Sequence, residues 1–226
     1  MPRPSKSKFG SATGGRKRTT SQSVHPAFDR DDQYEKRKQA LVQIAIQFFN
    51  SRGYHATSIE AIAGEVGLTK GTLYHYYSSK TDLAFDCILE SIADGQRMAQ
   101  QASEVEGSGL DKLERYLRLQ FETLAGYRGS SWLHADMSVL KEPQRAEARK
   151  RSREVDAMVQ KFLKLGIADG SIAPVDPKIA EFFLMGALNW LPRWYSPSGS
   201  MNSEELAAVF IGIMFDGLRA KGAGKP

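Results

Sequence analysis

The sequence predicts an all-α protein, and three observations lead there. Apolar residues recur at three- and four-residue spacing in one segment after another. No run alternates with the two-residue period of a half-buried strand. Short patterns led by Ser or Thr, of the kind that satisfy the orphan amides of a helix start, recur between the segments.

The first helix is expected from Asp31, with Leu41, Ile44, Ala45, Phe48 and Phe49 on one face, to a stop near Gly53, which tolerates left-handed geometry. Thr57-Ser58-Ile59-Glu60 reads as a capping box, with Thr57 as the cap, opening a short second helix to about Val66. Gly67-Leu68-Thr69 supplies a turn and another cap, and a third helix covers 70–77. Ser79-Lys80-Thr81-Asp82 repeats the capping logic before a longer helix through Leu83, Phe85, Cys87, Ile88 and Ile92. After Glu106-Gly107-Ser108-Gly109, a helix over 110–126 carries Leu113, Tyr116, Leu117, Phe121 and Leu124. A short helix over 132–140 is stopped near Pro143, and a charged helix over 145–165, with a stripe of Val155, Val159, Phe162 and Leu163, closes at Gly166 and Gly170. The last two helices, about 178–195 and 203–218, are apolar on more than one face, which suggests a partner; Pro192 should bend or shorten the first.

The 226 residues correspond to one or two domains, and 41% hydrophobic with 25% charged residues exclude a collagen-like or wholly disordered chain. Cys87 is the one cysteine, so an internal disulfide and a multi-thiolate zinc site are excluded. The most apolar stretches, 182–191 and 207–215, reach about half of the roughly 20 residues a membrane span needs. MPRPSKSKFG lacks the apolar core of a secretory signal, so a cytoplasmic protein without a membrane partner is expected. The formal net charge is +5, and its placement is informative: residues 1–30 hold seven bases against Asp29 alone, while the remainder holds 24 bases and 25 acids. Rich in Ser, Thr, Gly and Pro, residues 1–30 read as a disordered basic arm, suited to neutralising nucleic-acid phosphates or to solubility alone.

Two short helices around a Gly-containing turn, with a supporting helix before them, have the layout of a helix-turn-helix DNA reader. In VGLTKGTLYHYYSSKTDL, Leu68 and Leu73 face the core, while Thr69, Lys70, Thr72, His75 and Tyr76 are available to a groove. Gly71 keeps the helix start thin, and Lys70 beside a helix N-terminus can hold a phosphate. The competing reading makes Tyr74, Tyr76 and Tyr77 core aromatics.

The stretch TSIEAIAGEVGLTKGTLYHYYSSKTDL, residues 57–83, resembles the DNA-binding signature of the TetR family of bacterial transcriptional repressors; Val66 and Thr69 stand where that family commonly has Ala and Ser. The resemblance covers roughly 36–85. It implies an N-terminal three-helix helix-turn-helix domain, an α-helical ligand-binding and dimerisation domain after it, a homodimer, and no enzymatic activity. It further implies that double-stranded DNA is met, at a palindromic operator, by Thr57, Thr69, Lys70, Gly71, Thr72, Tyr74, His75, Tyr76 and Lys80. In this scheme Lys80 caps the following helix and touches backbone phosphate. Residues 187–207, ALNWLPRWYSPSGSMNSEELA, are similar to the final helices of TetR-type regulators of fatty-acid or steroid breakdown, which implies a hydrophobic effector of the acyl-CoA thioester class. Trp190 and Trp194 fit a core or dimer interface as well as a ligand contact. Arg193 fits a CoA phosphate or adenine as well as an interface charge. By helical position, Phe85, Leu89, Phe121, Met137 and Trp190 are the expected apolar lining.

The expected organisation is an arm over 1–30, a reading domain over 31–82, a ligand and dimer domain over 83–221, and a tail over 222–226. Other chemistries fail on their residues. Gly10 to Lys17 has Arg16 where a phosphate loop needs lysine and no preceding strand. His25, His55, His75 and His134 form no metal motif, Glu104, Glu106 and Asp111 lie at a helix break, and no cofactor is expected. A ligand-independent DNA-binding or architectural protein of the same fold is the alternative.

Overall fold

The computed structural model describes residues 26–125, 137–191, 194–196 and 198–216. Two compact units are present, residues 1–35 and residues 36–226, and the packing below is that of the second. Among the described residues there are eight α-helices and no strand: α1 (Pro26–Arg52), α2 (Ile59–Glu65), α3 (Lys70–Tyr74), α4 (Lys80–Ser103), α5 (Gly109–Ala125), α6 (Glu142–Asp169), α7 (Pro177–Trp190) and α8 (Ser203–Asp216), with a 3-10 turn at Met137–Val139.

Several boundaries differ from those the sequence predicts, each for a local reason. α1 starts at Pro26, whose fixed φ suits a first helical position. Residues 26–30 are therefore helix; the rest of the expected arm, 1–25, lies outside the described residues. α2 is capped by Ser58, whose Oγ accepts from Ala61 N at 3.1 Å, one residue later than expected. α3 ends at Tyr74, with His75 as its C-cap. Pro143, expected as a stop, sits in the first turn of α6, where a missing N–H costs nothing. Of the expected 132–140 helix, 132–136 lies outside the described residues, as do Pro192, the tail over 222–226 and the last two residues predicted for α8.

The core runs without a break from the reading head into the C-terminal helices. Leu41, Ala45 and Phe49 of α1 share one buried cluster with Ile62, Leu73, Leu83 and Ala84, and burial continues along α4 through Ile88, Ile92 and Ala99 to Leu113, Tyr116 and Leu117 of α5. α4 packs on α5 and α6, α5 on α8, and α6 on α7. Asp82 meets Gln144 and Gln96 meets Glu154, so α4 and α6 run parallel, away from the reading head. α5 returns between them. Its first residue, Gly109, lies so close to Gly166 that a β-carbon there would overlap α6 backbone, and its amide donates to Asp169 Oδ2 at 2.7 Å. Gly170, at φ +80°, closes α6 in left-handed geometry.

Candidate DNA interface and ligand cavity

The reading head is assembled from three capped helix starts and one turn. Gly67, at φ +68°, lets the chain reverse after α2, and Leu68 N donates to Ala63 O at 2.8 Å. Thr69 caps α3: its Oγ1 accepts from Thr72 N at 3.1 Å and lies 2.8 Å from Thr72 Oγ1. Leu73 is fully buried and Leu68 packs against the core, as the helix pattern requires. The opposite side of α3 presents Thr69, Lys70, Gly71, Tyr74 and His75 to solvent, with Thr72 and Tyr76 half-buried beside them. A β-carbon on Gly71 would meet only Thr69 Oγ1, at 3.8 Å, so nothing inside the protein requires glycine there.

Of the three tyrosines in doubt, Tyr77 is core: it is buried, and its hydroxyl donates to Asp86 Oδ2 at 3.0 Å. Tyr74, 44% exposed, is a surface residue, and Tyr76 packs partly on the core. Lys70 and Glu60 form an exposed ion pair across the turn, so α2 and α3 are linked at the surface. The Lys70 side chain holds the Glu60 carboxyl below its ordinary range.

The caps expected at Thr57 and Lys80 fall instead on the serines just beside them. Thr57 is 1% exposed, and its hydroxyl donates to Gly53 O at 2.8 Å and Phe48 O at 3.1 Å. Its side chain ties the end of α1 to the approach of α2 and is not turned to a groove; the capping role belongs to Ser58. Nor does Lys80 cap α4. Ser79 does, accepting from Asp82 N at 3.1 Å. The Lys80 ammonium donates to Tyr54 O and Thr57 O, both at 2.9 Å, over the Tyr54 ring at 4.3 Å. Burial lowers its pKa, and two of its three donors are spent on the loop between α1 and α2.

At the far end of the C-terminal helices a half-open cavity of about 480 Å³ lies between α5, α6, α7 and α8. Leu110, Leu113, Leu163, Phe183, Leu184 and Met214 give it an apolar wall, with Ser171 among the few polar groups. The volume is that of a small-molecule pocket. None of the expected lining residues borders it. Phe121 instead lines a second, more polar recess of about 510 Å³ with Arg118, Glu122 and Glu204. Phe85, Leu89 and Met137 pack half-buried on the core, Trp190 is 62% exposed, and Arg193 lies outside the described residues. The cavity is made by helices far apart in sequence, and no local pattern marks it.

An exposed reading helix on a buried three-helix support, followed by a long helix into a second helical body, defines a helix-turn-helix DNA-binding regulator. The comparisons agree. Residues 41–87 match the family described as bacterial regulatory proteins, tetR family, and residues 106–218 match the tetracyclin repressor-like C-terminal domain. The chain belongs to the TetR family, whose members are transcriptional regulators and not enzymes. The HTH-type transcriptional repressor KstR2 of Mycolicibacterium smegmatis is 27% identical over 195 residues, spanning 84% of this chain and 94% of the relative. Two solved structures share the fold. The TetR family regulator PfmR of Thermus thermophilus is 24% identical with a TM-score of 0.71, over 80% of this chain and 99% of its own. AibR in complex with isovaleryl coenzyme A and operator DNA is 24% identical with a TM-score of 0.69, over 79% and 98%. Among the described residues no helix is long and apolar enough to cross a membrane.

Proposed function

We propose that this regulator is a homodimeric repressor that binds a palindromic operator and leaves it when a hydrophobic effector, of the acyl-CoA thioester class, occupies the C-terminal domain. The observation that carries the reading is α4: one uninterrupted helix, Lys80–Ser103, belongs both to the support of the reading head and to the packing of the C-terminal helices. A ligand that displaces α4 therefore changes the aim of α3. KstR2 is named a repressor, and AibR was solved with an acyl-CoA and operator DNA together, which supports the effector class.

The assignment divides the chain into a basic arm over 1–30, a reading domain over 31–82 and an effector and dimer domain over 83–221. On DNA, Lys70 and Lys80 would meet phosphate, and Thr72, His75 and Tyr76 would meet base edges or backbone. Ile179, Phe182, Phe183 and Trp190 form an exposed apolar stripe on α7, with Val209 and Ile213 exposed on α8. Soluble monomers rarely leave a contiguous apolar patch of this kind open, and a second copy of the chain is the occupant that fits it. Twofold pairing places the reading helices one DNA turn apart, roughly 34–36 Å, and requires a palindrome. To move operator occupancy from 99:1 to 1:99, the effector must prefer the released form by about 5.5 kcal/mol.

The test is binding of the purified protein to its own promoter region at fixed salt, with and without a panel of acyl-CoA thioesters, with footprinting of the site. Specific binding lost on addition of one thioester is the expected result. Binding indifferent to every thioester overturns the effector class and favours the ligand-independent alternative. Absence of specific binding to any genomic fragment overturns the operator reading.

A further inference from the structure

The cavity of about 480 Å³ is built by α5, α6, α7, α8 and the link between α6 and α7, and none of its wall comes from α4. A ligand held there makes no direct contact with the helix that aims the reading head. Its floor is fixed before any ligand arrives. Gly166 has no β-carbon, and one there would overlap the end of the Ile172 side chain, so Ile172 lies on bare α6 backbone, with its amide donating to Gly166 O at 2.9 Å. Among the described residues, Ser171 is the sole polar member of the wall, and no charged side chain lines it. The Ser171 hydroxyl is committed to the backbone: it accepts from Leu110 N at 3.3 Å and donates to Gly166 O at 3.4 Å. Two bases on adjoining turns are engaged elsewhere, Lys112 with Ser103 O and Val105 O, and Lys178 over the Phe182 ring at 5.6 Å.

Such a wall selects its ligand by what it excludes. A phosphate or carboxylate placed in it would give up hydration with no cation to replace it. Apolar cavities, in contrast, stay free of water and take up hydrocarbons. The rim adds a second feature. Val175, Ile179 and Phe183 line the cavity yet are 44%, 62% and 62% exposed, so they stand at its mouth. Ile179 and Phe183 belong also to the apolar stripe of α7, which makes the mouth and the stripe one surface.

We infer that the cavity is a ligand site for an uncharged hydrocarbon carrying at most one hydroxyl, distinct in chemistry from a charged acyl-CoA, and that a second copy seated on α7 closes its mouth. The closure rests on the pairing reading above; the site does not. A hydrocarbon sealed by the second copy has more of its surface removed from water, so the paired form binds it more tightly. By reciprocity the ligand strengthens pairing by the same factor. Occupancy there favours the operator-bound dimer and opposes an effector that acts through α4.

The test uses the full chain and the neutral fluorescent dye N-phenylnaphthylamine. Wild type should bind the dye saturably, with displacement by decanol and not by decanoate, which has the same chain length and a charge. Ala180→Phe, which fills the wall from α7, should abolish dye binding, and Ala173→Trp, on the exposed link, should do the same and serves where the first variant fails to fold. Phe182→Glu lies outside the wall; once monomeric it should bind the dye about 5- to 150-fold more weakly, and decanol should tighten wild-type self-association in sedimentation by the same factor. A dye that wild type does not bind, or that the filled variants bind as wild type does, overturns the site. Decanoate displacing as well as decanol overturns the ligand class. Equal dye affinity in the wild-type dimer and a monomeric Phe182→Glu overturns the closure. A Phe182→Glu chain that still pairs refutes instead the α7 pairing reading, and the closure with it, while dye binding by the filled variants decides the site.

Discussion

Asp82 accepts a 2.8 Å hydrogen bond from Gln144 Nε2 through Oδ1, while its Oδ2 accepts from Ser78 and Ser79, both at 2.6 Å. One carboxylate thus binds the start of α4, at the reading head, to the start of α6. Lys141 adds a longer contact to the same Oδ1 at 3.4 Å, and Arg145 of α6 reaches the 3-10 turn at Leu140 O, 2.8 Å away. A displacement of that turn is therefore passed to α4 through polar contacts as well as through packing.

Gln144→Ala should cost about 1.5–3 kcal/mol, the usual contribution of a hydrogen bond to a charged group. The loss should be non-additive with that of Asp82→Asn in a double-mutant cycle by urea denaturation. The hydroxyls of Ser78 and then Ser79 hold the Asp82 carboxyl at about 2, well below its ordinary value. A depressed acid stabilises the fold above its unfolded pKa, near 3.9, and that stabilisation is lost as pH falls from about 4 to about 2. Wild type should therefore lose more stability over that window than Asp82→Asn; equal losses would show that these hydrogen bonds do not stabilise the ionised carboxylate.

Lys80 has partners inside the protein that its place in the sequence does not reveal. Its ammonium holds the carbonyls of Tyr54 and Thr57, so Lys80→Ala should lower Tm by several degrees even without DNA. It should also weaken all DNA sequences alike, by loosening the loop that sets α2. A variant with unchanged Tm and a salt slope reduced by about one would instead identify a direct phosphate contact.

The reading head was legible in sequence because its determinants are local. Caps at Thr69 and Ser79, the turn at Gly67 and the buried Leu73 all follow from residues within one turn of each other. The capping box at Thr57 misled because Ser58 offers the same hydroxyl one residue later, while Thr57 finds acceptors at Phe48 and Gly53 in α1 and just beyond its end. The cavity was not legible. Leu110 and Met214 become neighbours only through the antiparallel packing of α5 on α8, and helical spacing marks both simply as apolar. Phe85 and Leu89 on α4 satisfy the same spacing and pack on the core.

Glu60 and Lys70 set a test of the DNA face itself. Their ion pair is exposed and contributes little to stability. If Lys70 meets phosphate as proposed, Glu60 competes with that phosphate for the lysine. Glu60→Gln should tighten binding to every duplex without changing the preferred sequence, and Lys70→Ala should weaken binding and reduce the salt slope by about one. Fluorescence anisotropy across a salt series separates the two. His75→Ala, at an exposed position beyond the last turn of α3, should relax preference at a single base pair if it meets a base edge, and shift all sequences equally if it meets backbone.

The apolar stripe on α7 gives the most direct test of pairing. Phe182 is 56% exposed and is absent from the wall of the 480 Å³ cavity, so its replacement leaves that wall intact. Phe182→Glu places a charge where a second copy would bury an aromatic ring, and such a charge has no partner in the pairing face to offset its desolvation. Sedimentation should then show a monomer at concentrations where the wild type is a dimer, with helix content unchanged by circular dichroism. If the chain pairs on a palindrome as proposed, operator binding should fall by two or more orders of magnitude, because each head alone would read only half of the site, while binding to random DNA changes far less. A variant that stays dimeric and binds the operator normally would move the pairing surface away from α7.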